Sequence, residues 1–267
     1  MIDDRFAAGA DAAAHLFVAS LDSVVTVDGP DGHHLQRVRR LRVGEQVTAA
    51  DGEGRWRRYA IAGAEPGRLL LRAESEAVVE PEPRPGVVVA VALTKGAKLE
   101  MVVAQLTELG VTRVEPVRAR RSVVRWDAPR AEAVRERLQT VAREAAMQCR
   151  RARIPAVAPV SDLSGLAGRP GIVVASWDGR SAGEIPLPPS GEPPFGTWTV
   201  VVGPEGGFEP GEVEALAPLG RLALSRYVLR AQTAPVVAAA LLVARGLGEP
   251  DVARDAAVTL CESPREA

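Results

Sequence analysis

Cysteine is nearly missing: Cys149 and Cys261 are the only two in 267 residues, far apart and with no CxxC spacing. That excludes a disulfide-stapled scaffold and a cysteine zinc site, and a reducing, cytoplasmic setting is the expectation. The three histidines, His15, His33 and His34, lack metal-ligand spacing, so no metal is expected. No apolar run approaches the ~20 residues that span a bilayer. The longest, 234–244, reads as a buried helix, and the first residues lack an apolar signal core, so neither a membrane span nor export is expected. Lysine is reduced to Lys95 and Lys98, while 31 residues are arginine, the better side chain for gripping phosphates and stacking on bases. Net charge is lacking too. The chain carries 33 basic and 34 acidic groups, a balance of −1, which on its face argues against a general polyanion binder.

What is present divides at a proline-rich stretch. Residues 13–80 hold short β-type runs at 24–27, 46–49 and 69–71, with a short helical stripe of Leu35, Val38 and Leu41 between the first two. Turn signals punctuate them, as in a small β-rich barrel. The Pro81-Glu82-Pro83-Arg84-Pro85 segment then makes a stiff extended linker. Beyond it the pattern alternates. Apolar runs at 87–93, 114–117, 172–175, 199–202 and 222–224 predict buried strands. Helical spacing predicts helices over 99–109, 129–150, 209–217 and 233–244, and 184–196 is an exposed loop. Strand–helix alternation with continuous apolar strands predicts a parallel α/β layer. The predicted division is 1–80 for the barrel, 81–86 for the linker, 87–248 for the α/β domain and 249–267 for a tail.

The charge is unevenly placed. Residues 113–153 carry 12 arginines against 5 acids, whereas 1–80 and 154–267 are both net acidic. Basic knots lie at 37–42, 118–121 and 150–153. Each alone fits a solvated helix face; three of them across two domains favour RNA or DNA.

Three stretches stand out. At 200–209 an apolar strand runs into Gly203-Pro204-Glu205-Gly206-Gly207 and then a helix. Ligands of open α/β sheets sit at such carboxyl strand ends, and glycine lets them approach the backbone. The loop is neither a Walker A nor a GxGxxG motif, and Glu205 and Glu209 would repel a pyrophosphate. A ligand without phosphates, or with a positive centre, suits it. At 227–235, Thr233 suits a helix cap and Pro235 its first turn, which leaves Arg230 and Gln232 unexplained. At 143–150, the apolar stripe 134, 138, 141, 145 continues onto Gln148, predicting a polar residue on a buried face at a helix end.

Together these stretches resemble the RsmE family, the 16S ribosomal RNA uracil-N3 methyltransferases of the SPOUT superfamily. His33-His34-Leu35 with 38–44 resembles the family's PUA-like RNA-binding domain. Leu93-Thr94-Lys95-Gly96 with 108–111 resembles the start of its catalytic domain, and 144–150 its middle motif. Gly203 to Gly207, and Val228-Leu229-Arg230 with Thr233-Ala234, resemble its two cofactor motifs. Two positions depart from the family pattern: Gln232 replaces a glutamate, and Ala104-Gln105 stand where Gln-Lys is frequent.

The resemblance implies a PUA-like β-barrel followed by a SPOUT α/β domain with a deep trefoil knot, S-adenosylmethionine as cofactor, and a homodimer acting on 16S ribosomal RNA or the small ribosomal subunit. It implies a cofactor pocket of Ala175, Ser176, Gly203, Pro204, Glu205, Gly206, Gly207, Leu222, Leu224, Ser225, Leu229 and Thr233. Arg230, Glu205 and Gln232 are the expected catalytic residues. His34, Arg37, Arg39, Arg40, Arg42, Lys95, Arg121, Arg150 and Arg153 are expected on RNA. Two rivals stay open: a non-catalytic RNA-binding assembly protein on the same fold, and a dinucleotide-dependent oxidoreductase, which the missing GxGxxG disfavours.

Overall fold

The computed structural model describes residues 12–37, 40–94, 99–189, 196–216 and 218–248. The amino-terminal part comprises β1 (Ala14–Phe17), β2 (Val24–Val27), α1 (Gly29–Arg37), β3 (Gln46–Ala50), β4 (Arg55–Glu65), β5 (Arg68–Ala73) and β6 (Val78–Val79). They form one sheet in the order β1-β3-β4-β5-β2, with β6 on β4; only β1–β3 is parallel. Along β5, Leu69 and Leu71 point inward and Arg68 and Leu70 outward, the period-2 pattern of a sheet wet on one face. Leu16 and Val27, from the two edge strands, share one core with Leu35, Tyr59 and Ile61, as the wall of a small barrel requires. β4 escapes the sequence reading because its inward residues, Trp56, Tyr59 and Ile61, are separated by arginines and alanines rather than set in an apolar run.

The second part comprises β7 (Gly86–Ala92), α2 (Leu99–Glu108), β8 (Arg113–Arg118), α3 (Ala128–Cys149), β9 (Ala156–Val157), β10 (Ser161–Asp162), β11 (Ile172–Arg180), β12 (Thr197–Val202), α4 (Glu212–Ala215), β13 (Gly220–Leu222) and α5 (Ala234–Leu247). The sheet order is β10-β8-β7-β12-β11-β13, with β9 on β8, and every pairing is parallel. All seven residues of β7 are buried, because α2, α3 and α5 cover one face of the sheet's centre and the 163–166 turn with the α4 segment covers the other. Leu106, Leu138 and Leu242 bring α2, α3 and α5 into one core with β7 and β12. Asp127 caps α3 by accepting from the Arg130 amide, and Arg150 closes it in a left-handed conformation. Two expectations shift. The helix expected at 209–217 is the single turn α4, and the last strand lies at 220–222 rather than 222–224. Among the described residues no helix is long and apolar enough to cross a membrane.

The seam between the two parts corrects the reading of the third basic knot. The Arg150 guanidinium donates to the Ala12 carbonyl at 2.7 Å, and Arg151 donates to the carbonyls of Thr107 and Val111. Arg153 donates to the carbonyls of Glu53 and Glu80 and lies against Gly54, whose missing Cβ leaves room for it. Arg150 and Arg153 thus fasten one domain to the other instead of presenting a face to phosphate. Gln148 is a second correction: it is exposed. The buried stripe of α3 is Leu138, Ala142, Ala145 and Ala146, and at 3.6 residues per turn it drifts onto Cys149.

His15 sits in the same seam, 3% exposed. Its Nε2 lies 3.1 Å from the Arg151 carbonyl, which only accepts, so Nε2 carries the proton. Nδ1 then accepts from the Thr48 hydroxyl at 2.8 Å. Burial, with the Arg150 charge adding to it, pushes the His15 pKa down to about 4. Between that value and the ordinary 6.5, the unfolded chain takes up a proton that the folded chain refuses. Stability is therefore complete above pH 6.5 and falls as the pH drops toward 4, by about 3 kcal/mol for this group. Denaturant unfolding from pH 4 to 7 should show that loss in the wild type and not in His15→Gln; parallel curves would remove His15 from the account.

Candidate active site

The parallel sheet brings three carboxyl-end loops together. β12 lies beside β11, and β11 beside β13, so 175–177, 203–208 and 224–231 converge although they are far apart in the chain. Together they enclose a cavity of about 560 Å³. That is within the usual range of small-ligand sites.

The 203–207 loop is shaped by its glycines. The Gly207 amide donates to the Pro204 carbonyl at 2.8 Å, and Gly207 adopts φ +67°, which L side chains rarely tolerate. A Cβ on Gly203 would stand 3.0 Å from the Phe208 ring. The neighbouring 120–121 turn braces this loop. Arg121 donates to the Gly206 carbonyl at 2.9 Å, the Arg120 amide donates to Glu212 at 2.9 Å, and the Arg120 guanidinium pairs with Glu209 at 3.3 Å. Beyond the brace lies a second hollow of about 650 Å³, lined by Arg118, Arg120, Arg125 and Glu212 among others.

Of the expected pocket residues, Ala175, Ser176, Gly203, Pro204, Glu205, Gly207, Leu224, Ser225 and Leu229 line the cavity, and so does Arg230. Four expected residues do not. Leu222 is wholly buried in the core, because β13 turns its side chain inward. Gly206 faces Arg121. Thr233 occupies the cap position of α5 without making a side-chain cap bond, and its amide holds the Arg230 carbonyl at 2.8 Å. Gln232 sits in that turn, half-buried and outside the cavity wall. Glu205 and Arg230 are both exposed, and neither side chain has a hydrogen-bond or ion-pair partner among the described residues. The Ser176 hydroxyl donates to Asp178, which with Arg221 holds that carboxyl below the usual range.

Of the expected RNA contacts, Arg121 is exposed on the brace and Arg40 and Arg42 are exposed on the first domain. Arg39, Lys95 and the side chains of His34 and Arg37 lie outside the described residues. Val228, part of an expected cofactor motif, also lines the cavity, as do Trp177, Phe208, Val213 and Tyr227, which were not among the expected site residues. Their signal is faint: an aromatic just past a buried strand reads the same whether it faces a core or a ligand.

Comparison with known proteins agrees with this layout. The family model described as an RNA methyltransferase domain matches residues 80–243, and one described as an RNA methyltransferase PUA domain matches 27–74. Ribosomal RNA small subunit methyltransferase E of Mycobacterium bovis is 36% identical over 228 residues, covering 81% of this chain and 84% of its own. Its counterpart from Bacillus subtilis is 31% identical over 222 residues, covering 80% and 87%. The crystal structure of ribosomal RNA small subunit methyltransferase E from Neisseria gonorrhoeae bound to S-adenosyl methionine superposes with a TM-score of 0.71 at 26% identity, covering 85% of this chain and 95% of that one. With a barrel of PUA type leading into a parallel sheet whose carboxyl edge holds the glycine turn, the chain belongs to the ribosomal RNA small subunit methyltransferase E family.

Proposed function

We propose that this chain transfers a methyl group from S-adenosylmethionine to N3 of one uridine in the RNA of the small ribosomal subunit. The observation that carries the proposal is the single cavity joining the glycine turn at 203–207 to the loop bearing Arg230. The residues fit the cofactor. The walls are mostly apolar side chains and close-approach backbone, Arg230 is the one basic side chain among the described lining residues, and Glu205 is an exposed carboxylate suited to a cation. When bound, S-adenosylmethionine supplies an electrophilic methyl on a sulfonium sulfur.

The chain's part is to hold and to polarise. Gly203, Pro204, Gly207, Ala175, Leu224 and Leu229 set the cofactor's position, which supplies much of the rate in an in-line transfer. Arg230 stabilises the anion that develops on the uracil as N3 loses its proton. Glu205 faces the cationic cofactor and is the candidate acceptor for that proton. The methyl that the bound cofactor would supply is the group that N3 would gain, the cofactor being left as a neutral thioether. Gln232, an amide, cannot accept the proton near neutral pH, and its place in the α5 turn suits a positioning task. Arg40, Arg42 and Arg121 guide the RNA backbone, a task proposed also for His34, Arg37, Arg39 and Lys95.

The proposal includes a cytoplasmic homodimer, a knotted carboxyl-terminal segment, and a domain division within 81–86. The test is methyl transfer from radiolabelled S-adenosylmethionine to small subunits, or their naked RNA, from cells lacking the modification. Transfer to one nucleotide, mapped by mass spectrometry, is expected. Cofactor binding without transfer to either substrate would overturn the proposal in favour of a non-catalytic assembly protein.

A further inference from the structure

Most of the aromatic side chains among the described residues are withdrawn from water. Among the described residues Phe17, Trp56, Tyr59 and Trp198 are buried, and Trp126 and Phe208 are half-buried. Two remain in water: Trp177 is 91% exposed and Tyr227 is 81% exposed. Both line the same cavity, although fifty positions separate them, because β13 pairs with β11. Leaving large aromatic faces in water forfeits the burial that the fold secures for the others. Arg226 and Arg230 flank Tyr227 on its loop, and neither guanidinium has a partner among the described residues. Exposed aromatic faces interleaved with free guanidinium groups are the chemistry that receives unstacked bases of single-stranded RNA.

We infer that Trp177 and Tyr227 are the stacking platform for the target uracil, holding its N3 edge toward the cavity. The inference rests on the methyltransferase reading and adds to it the residues that receive the base. A uracil lifted out of its RNA loses its neighbours' stacking, and an aromatic face replaces what was lost. The cost of extruding the base is thereby offset at the site where the reaction needs it.

The test uses the full chain with Trp177→Ala, Tyr227→Ala, the double variant, and the conservative Trp177→Phe and Tyr227→Phe. Each alanine variant should raise the KM for unmodified small subunits by roughly 5- to 150-fold, the range given by one lost base–aromatic stack. The phenylalanine variants should retain most of the wild-type KM, because a ring still stacks. S-adenosylmethionine affinity, measured by calorimetry without RNA, should be unchanged throughout. An unchanged KM in the double variant would overturn the inference. So would cofactor affinity falling in step with RNA affinity, or a changed oligomeric mass, which would give these rings to the cofactor or to a second copy of the chain. Direct binding to small subunits is measured in parallel. A wild type that binds but transfers no methyl would sink the catalytic reading, while the difference in binding between wild type and the alanine variants would still decide the role of the aromatics.

Discussion

Arg230→Ala should lower turnover about 100- to 1,000-fold while leaving S-adenosylmethionine affinity unchanged, the loss typical of removing one group that stabilises a developing oxyanion. The backbone of Arg230 is held independently of its side chain. Its carbonyl accepts from the amides of Thr233 at 2.8 Å and Ala234 at 3.0 Å, at the start of α5. The substitution therefore leaves the loop in place and removes only the guanidinium, which is exposed, lines the cavity and has no partner among the described residues. An arginine not consumed by structure is available to the reacting base. Its charge is needed more in the transition state than in the ground state, so the effect should fall on kcat rather than KM. Raising the pH should recover part of the loss, since hydroxide then assists the N3 ionisation that the arginine no longer favours. Arg230→Lys should recover part as well, because it keeps the charge and loses the fork. Single-turnover transfer and calorimetry separate the two quantities. A variant with wild-type turnover would remove Arg230 from the mechanism.

Gly179→Ala should destabilise the fold by about 3 kcal/mol, the upper part of the usual range for overpacking a site that cannot relax. A Cβ there would stand 2.5 Å from the Ala223 amide nitrogen and 2.5 Å from the Leu222 carbonyl carbon. Both are backbone atoms of the segment that pairs with β11, where the Ala223 amide donates to the Arg180 carbonyl. Backbone has no rotamer to yield, so the two strands must part. A melting temperature lower by roughly 6–12 °C is the expected reading for a chain of this size. Cofactor affinity should fall too, because the parted strands carry the 175–177 and 224–231 walls of the cavity. Gly183→Ala is the control. That residue is exposed, and an added Cβ meets nothing within 4 Å, so its melting temperature should stay at the wild-type value. Equal melting of the two variants would show that the close approach at Gly179 does not constrain the fold.

The sequence reading succeeds where the code is local. Seven consecutive apolar residues at 87–93 describe a strand covered on both faces, and the structure buries all seven in and just after β7. Gly110, at φ +91°, ends α2 where the helical stripe stops. The turn at 203–207 is legible because a positive φ and a close approach both demand glycine, wherever in the fold they occur. The reading fails where one residue type serves two environments. Arg150, Arg151 and Arg153 look like a polyanion patch, yet Arg150 and Arg153 hold backbone carbonyls across the domain seam and Arg151 holds carbonyls within its own domain. A guanidinium is the same fork for a carbonyl as for a phosphate. Gln148 misleads for a second reason: a stripe extrapolated in steps of three and four loses its phase within a few turns.

By itself, then, the sequence determined the two kinds of sheet, the proline-rich segment between them, the glycine turn and the family, since each is written in contiguous residues. Only the tertiary structure decided which side chains meet. It set Ala175–Trp177 against Leu224–Arg230, turned Leu222 into the core and Gln232 out of the wall, and left Trp177 and Tyr227 in water at the cavity. The physical reason is strand order. Parallel pairing of β13 with β11 joins segments some fifty residues apart, and no local propensity records which edge a strand will take.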